Sequence, residues 1–170
     1  MNKSMKLSEH FTLGEMCKTK HVTADGNIPS HVVIENLKRI CGWLEELRVV
    51  AGVRPQSKVA GDCTLAPDPG AAPSSRKEEP IIINSGYRSP AVNLLAGGAK
   101  TSNHLSGCAV DIRCAGKEQM IRYAAILLDI ADGTKQDFDE LLLEQHGSVC
   151  WLHFAVRPKD NRRRIALIKA

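Results

Sequence analysis

Residues able to do chemistry gather in two stretches. One reads Ser102-Asn103-His104-Leu105-Ser106-Gly107-Cys108-Ala109-Val110-Asp111, and the other is Trp151-Leu152-His153-Phe154-Ala155-Val156. Imidazoles and carboxylates suit a hydrolytic zinc site, which takes three protein ligands from His, Asp or Glu and keeps a position open for water. Two histidines and one carboxylate match zinc among the divalent ions. His104 lies in a polar loop and Asp111 in an apolar strand. Seven residues of unbroken strand would part them by more than about 20 Å. They share a metal only if the chain folds back between them, and Ser106-Gly107 supplies the flexible residue. Strand alternation groups Asp111 with Ala109 and Arg113, away from Cys108, Val110 and Ile112. It likewise groups His153 with Trp151 and Ala155, away from Leu152, Phe154 and Val156. A polar residue at the centre of so apolar a strand needs a partner. Taken singly, each signal has an ordinary alternative: a hydrogen-bonded structural histidine, or an aspartate paired with an arginine or a backbone amide.

The elements that must position these residues follow from local pattern. Phe11 to Met16 reads as a short helix, with Thr12 as N-cap and Glu15 as its capping-box partner. Ile28-Pro29-Ser30 opens a longer helix whose stripe is Val33, Leu37, Ile40, Cys41, Leu44 and Leu47. The stretch 51–80 is rich in Pro, Gly, Ala, Ser and charge. It cannot bury enough apolar surface to offset its ordering entropy, so it reads as a disordered insertion within one domain spanning 1–170. Ile81 to Ile83 is a buried-strand signal running into Asn84-Ser85-Gly86-Tyr87-Arg88-Ser89-Pro90. Pro90 starts a short helix through Asn93 to Ala96, ended by Gly97-Gly98. A strand is predicted over Cys108 to Arg113 and a helix over Gly116 to Ala131. Leu141 to Leu143 and Val149 to Val156 read as two strands joined by a turn at His146-Gly147-Ser148. Arg162-Arg163-Arg164 reads as a solvated terminus. The order of elements predicts α+β, with helices packed on a mostly antiparallel sheet.

Composition bounds the function. The 170 residues carry a net charge of +4, with 43% apolar, 25% charged and 4% aromatic residues. This is an ordinary globular composition, with a core resting on Leu, Ile, Val and Ala. The mild positive charge favours an anionic surface such as a cell wall without demanding nucleic acid. The arginine run lacks the interleaved aromatic surface a nucleic-acid site needs. Met1 to His10 is polar and lacks an apolar run of signal-peptide length. No stretch approaches the roughly 18 apolar residues that span a bilayer. The expectation is a chain made in the cytoplasm without membrane insertion, and a monomer. Six cysteines (17, 41, 63, 108, 114 and 150) show no C-x-x-C pair and read as small buried hydrophobes.

The motif Ser102-x-His104-x-x-Gly107-x-Ala109-x-Asp111, followed by Trp151-x-His153, resembles the zinc D-alanyl-D-alanine carboxypeptidase family. Relatives of that family include phage endolysins that cut peptidoglycan peptides and the zinc domain of hedgehog proteins. Ser85-Gly86-Tyr87-Arg88-Ser89 resembles the family's Gly-Tyr-Arg-Ser segment. Phe11 to Met16 is similar to the opening of a phage-associated branch. The resemblance covers nearly the whole chain except 51–80. It implies a hedgehog-like, D-Ala-D-Ala peptidase-like fold, with one Zn2+ held by His104, Asp111 and His153. Arg88 would hold the substrate's carboxylate or carbonyl, which suits a guanidinium fork. Ser102 would support the metal loop or bond the substrate, and Trp151 would line the substrate cleft.

The implied reaction is metal-assisted hydrolysis of peptide bonds involving D-amino acids in peptidoglycan stem peptides, by carboxypeptidase or endolysin-type endopeptidase action. A bound zinc would activate water and polarise the scissile carbonyl, and a carboxylate would carry the water's proton to the leaving amine. Several relatives place an acid three residues before the last zinc histidine, where this chain has Cys150. Glu144, at the end of the Leu141 to Leu143 strand and on the face of Leu142, is the first choice for that base. His146 is the second choice, as base or as stabiliser of the tetrahedral intermediate, and Asp139 and Glu140 are weaker. His10, His21 and His31 fall outside every motif. The missing signal peptide and the phage-like opening point to a prophage-type enzyme that reaches the wall after release. The alternative is a zinc-containing module of the same fold that binds peptide or cell wall without cleaving it.

Overall fold

The computed structural model describes residues 2–52 and 79–169, so the predicted insertion lies, apart from its ends, outside the described residues. The elements are helices α1 (Leu13–Met16), α2 (His31–Gly52), α3 (Pro90–Leu95) and α4 (Lys117–Thr134), with a 3-10 turn at Asn103–Ser106. The strands are β1 (Ile83–Ser85), β2 (Ala109–Cys114), β3 (Glu140–His146), β4 (Val149–Ala155) and β5 (Arg164–Lys169). They form one sheet in the order β1-β2-β4-β3-β5. Neighbours are antiparallel except β3 and β5, which run parallel. The fold is α+β with helices on a mostly antiparallel sheet, as the element order predicts.

The capping box at α1 forms as expected: Glu15 N–H donates to Thr12 Oγ1 and Thr12 N–H donates to Glu15 Oε2. In α2 the whole predicted stripe is buried. The sheet turns Val110, Ile112, Leu141, Leu152 and Phe154 towards α2 and α4, and Trp43 of α2 packs against Phe154 with ring centroids 5.4 Å apart. Burial of each such side chain is worth roughly 1.5–3 kcal/mol. This layer gives the opposite sheet face a rigid backing. All five described cysteines are free and buried, and burial raises the thiol pKa of Cys41 to about 12. Among the described residues no helix is long and apolar enough to cross a membrane.

One strand escaped the sequence reading. The chain after Asn161 does not trail into solvent but enters β5, parallel to β3, with Glu140 opposite Arg164 and Glu144 opposite Ile168. The arginine run is neutralised on the way. Arg162 pairs with Asp139 and Glu140, Arg163 with Asp132 and Asp137, and Arg164 with Glu140. Long-range ion pairs and an edge position anchor this strand, and Ile165 and Leu167 stay more than half exposed. Local periodicity carries little trace of such a strand.

The fold-back between His104 and Asp111 is built by the 3-10 turn and by Gly107, whose φ is 69°. A Cβ at Gly107 would stand 2.7 Å from Val33 Cγ1 and 2.9 Å from the Val33 carbonyl oxygen. Both the left-handed backbone and the contact with α2 exclude a side chain there. Gly107→Ala is expected to destabilise the protein by roughly 2–4 kcal/mol, from left-handed strain plus overpacking. A urea-denaturation midpoint equal to wild type would refute this.

Candidate metal centre

His104, Asp111 and His153 converge, with one potential ligand atom from each lying within 4.8 Å of the others. All three are buried. Asp111 and His153 stand opposite one another across β2 and β4, while the 3-10 turn swings His104 over the same sheet face. His104 Nε2 lies 3.2 Å from Asp111 Oδ1, and His153 Nδ1 lies 2.9 Å from that same oxygen. The two imidazoles meet edge to face, with centroids 5.0 Å apart.

The surrounding groups set the protonation of this triad. His104 Nδ1 sits 2.6 Å from the Gly86 carbonyl oxygen, which can only accept, so Nδ1 carries a proton and Nε2 is the nitrogen turned to Asp111, able to offer a lone pair once a cation takes the place of its proton. Gly86 is itself sterically required. A Cβ there would lie 2.4 Å from the Met16 carbonyl oxygen, where the chain after α1 closes onto the segment. Burial opposes ionisation of Asp111, but hydrogen bonding to His104 and His153 outweighs it and holds the carboxyl well below the usual range. Burial likewise opposes charge on His153, yet Asp111 and Glu140 hold its pKa up at about 9. His104 Nε2, the Asp111 carboxylate and His153 Nδ1 thus point at one spot, where protons on the imidazoles or a cation in their place relieve the repulsion of their lone pairs. Buried nitrogen and oxygen donors in this number fit a divalent zinc ion with an open position.

Arg88 is committed to the same centre. Its Nη2 donates to Asp111 Oδ2 at 2.5 Å and its Nε to Ser85 Oγ at 2.7 Å. The aspartate–arginine pairing weighed as an ordinary alternative is therefore present beside the convergence of ligands. Ser102 caps the 3-10 turn, its Oγ accepting from the His104 N–H, so it shapes the ligand loop. Trp151 lies on the His153 face of β4, opposite Arg113 on one side and Glu144 on the other.

Two glutamates flank His153 diagonally across the β3–β4 hairpin, with Leu142 directly opposite it. Glu144 is half-buried, and burial pushes its carboxyl above the usual range. It shares the sheet face of Leu142 and His153, the face on which the cluster lies. Glu140 is held differently. It receives hydrogen bonds from Asn103 and Arg164, and its contact with His153 leads the effects that lower its pKa to about 2. His146 ends β3 at an exposed position opposite Val149, and no contact joins it to the cluster among the described residues. Cys150 pairs in register with Cys114 and is buried on the core face. An acid at that position would be sealed away from the metal ligands. Asp139, another weak candidate from the sequence, is fully buried beneath Arg162 and Asn103.

Sequence reasoning missed the Gly86 carbonyl and Asn103, and it weighed Glu140 only as a weaker candidate base. Strand alternation with Leu142 and Glu144 is the signal that puts Glu140 on the same face. The partners that give it a task come from segments remote in sequence. No curated protein matches the chain. The family model described as Peptidase M15 matches residues 74–139, a segment that carries Arg88, Ser102, His104 and Asp111 and stops short of His153, and so supports a zinc-dependent metallopeptidase.

Proposed function

We propose that this chain is a zinc metallopeptidase that hydrolyses bonds involving D-amino acids in peptidoglycan stem peptides, as a D-Ala-D-Ala carboxypeptidase or an endolysin-type endopeptidase. The observation that carries the reading is the buried convergence of His104 Nε2, Asp111 Oδ1 and His153 Nδ1, with outer hydrogen bonds that turn acceptor atoms inwards. Zinc bound there supplies Lewis acidity and an activated water. Glu144 takes the proton of the attacking water and returns it to the leaving amine. Burial holds its carboxyl above the usual carboxylate range, which makes it a better proton acceptor than a solvated glutamate. Arg88 keeps Asp111 in place through Nη2 and is the group that would meet the substrate's carboxylate or carbonyl. Ser102 holds the ligand loop and Trp151 forms an apolar wall for the peptide. The chain would act as a monomer, on wall peptides outside the membrane.

The test is zinc content together with hydrolysis of a D-Ala-D-Ala peptide, its L-Ala-L-Ala counterpart and purified peptidoglycan. One zinc per chain and cleavage confined to the D-substrates are expected. A zinc-loaded chain that cleaves none of them would favour the binding-module alternative, and absence of zinc would sink the metallopeptidase reading. Chelation is expected to lower the melting temperature and zinc to restore it, because an ion bound only by the folded state stabilises it by mass action. A melting temperature indifferent to chelator would count against a folded-state metal site.

A further inference from the structure

We propose that Glu140 is a positioning residue of the metal centre, fixing His153 with its proton on Nε2 so that Nδ1 is presented to the ion. The inference rests on the metallopeptidase reading of the site. The two ring nitrogens of His153 face two different carboxylates. Nδ1 lies 2.9 Å from Asp111 Oδ1, the oxygen that also faces His104 Nε2. Nε2 points the other way, 3.6 Å from Glu140 Oε2. The nitrogen directed at the other two ligands is therefore Nδ1, and once an ion replaces the proton there, the remaining proton sits on Nε2 beside Glu140. The opposite tautomer would turn the Nε2 lone pair towards the Glu140 carboxylate. At 3.6 Å the contact is electrostatic rather than a closed hydrogen bond, and it selects the tautomer through charge.

Glu140 can do this because its carboxylate is fixed on every other side. Arg164 Nη1 donates to Oε1 at 2.8 Å, Arg162 Nη2 lies 3.0 Å from Oε1, and Asn103 Nδ2 donates to Oε2 at 3.1 Å. The side chain is only 12% exposed. Asn103 immediately precedes His104 and begins the 3-10 turn. One amide thus joins the loop carrying the first histidine to the carboxylate facing the second. A purely structural ion pair would need Arg162 and Arg164 but not this approach to a ligand's outer nitrogen. Outer partners of metal-bound histidines typically matter by about 10- to 100-fold in metal affinity.

The experiment compares the full chain as wild type, Glu140→Leu and Glu140→Gln. Zinc affinity is read by competition with a chromophoric chelator, and the His153 tautomer by long-range proton–nitrogen NMR of zinc-loaded wild type. Wild type is expected to show a protonated Nε2 and a coordinated Nδ1. Glu140→Leu should bind zinc about 10- to 100-fold more weakly, while Glu140→Gln, which keeps the shape but loses the charge facing Nε2, recovers only part of the affinity. The wild-type spectrum tests the assignment even if Glu140→Leu folds poorly. Coordination through Nε2, or a folded Glu140→Leu that binds as tightly as wild type, would overturn the Glu140 role and leave the metallopeptidase reading standing. A wild type that binds no zinc would remove both.

Discussion

Glu144→Gln is expected to keep one zinc per chain and to lose cleavage by about 10²- to 10⁴-fold in kcat, the range for removing a general base or acid. The exchange preserves shape and leaves the three ligand residues untouched, so metal content should not move. Three comparisons single out this residue. Glu140 flanks His153 symmetrically, yet it is pinned by Arg164 and Asn103 and its pKa is lowered to about 2. A carboxylate so held is a poor proton acceptor. His146 lies beyond Glu144 at the exposed hairpin end. Cys150, where some relatives carry the acid, is buried on the other face of β4, opposite Cys114. Of these four residues, Glu144 combines the cleft face, partial burial and a raised pKa. Zinc content and kcat should be measured on the same preparation. Retained cleavage in the zinc-loaded variant would move the base elsewhere, and lost zinc would make Glu144 part of the ligand sphere.

Legibility in the sequence followed the range of the interactions concerned. The α2 stripe from Val33 to Leu47 is a local period, and every predicted member is buried. The pairing of His104 with Asp111 was readable as a geometric demand, since only a fold-back could join them, and Gly107 meets it with φ 69°. Alternation likewise set Asp111, His153 and Glu144 each on the less apolar face of its own strand, and the strand register brings those faces together. What stayed hidden depends on contacts between distant segments. Asn27 carries no signal in the local sequence pattern. It is 3% exposed, donates to the Cys17 and Tyr87 carbonyls and accepts from the Ser89 N–H, tying the first loop to the segment that carries Arg88. β5 was hidden for the same reason, because its arginines look solvated until Asp139 and Glu140 are seen beside them. Arg88 shows a further limit. Its type promised carboxylate recognition, and the first carboxylate it meets is the protein's own Asp111.

Asp139→Ala is expected to cost about 3–5 kcal/mol of folding stability, the range for breaking a buried ion pair by removing one partner. Asp139 is fully buried at the start of β3. Arg162 grips it with two side-chain hydrogen bonds, Nε to Oδ1 at 2.8 Å and Nη2 to Oδ2 at 2.7 Å, and its backbone N–H adds a third. Asn103 donates to Oδ2 at 2.8 Å, and Arg157 Nε makes a 3.1 Å ion-pair contact that is not a hydrogen bond. Truncation strands these donors and loosens both β5 and the loop before His104. Burial alone would raise the carboxyl's pKa, but the hydrogen bonds from Arg162 and Asn103 outweigh it and hold it below the usual range. Stability from a depressed carboxylate is complete above its unfolded pKa of about 3.9 and fades as pH falls through the folded value. Asp139→Ala should therefore show a lower urea midpoint at neutral pH and a flatter decline in acid than wild type. The folded fraction should still cleave, since no reacting group is removed. An unchanged midpoint would mean that the arginines find water or Glu140 at no cost, and loss of kcat without loss of stability would return Asp139 to the chemistry.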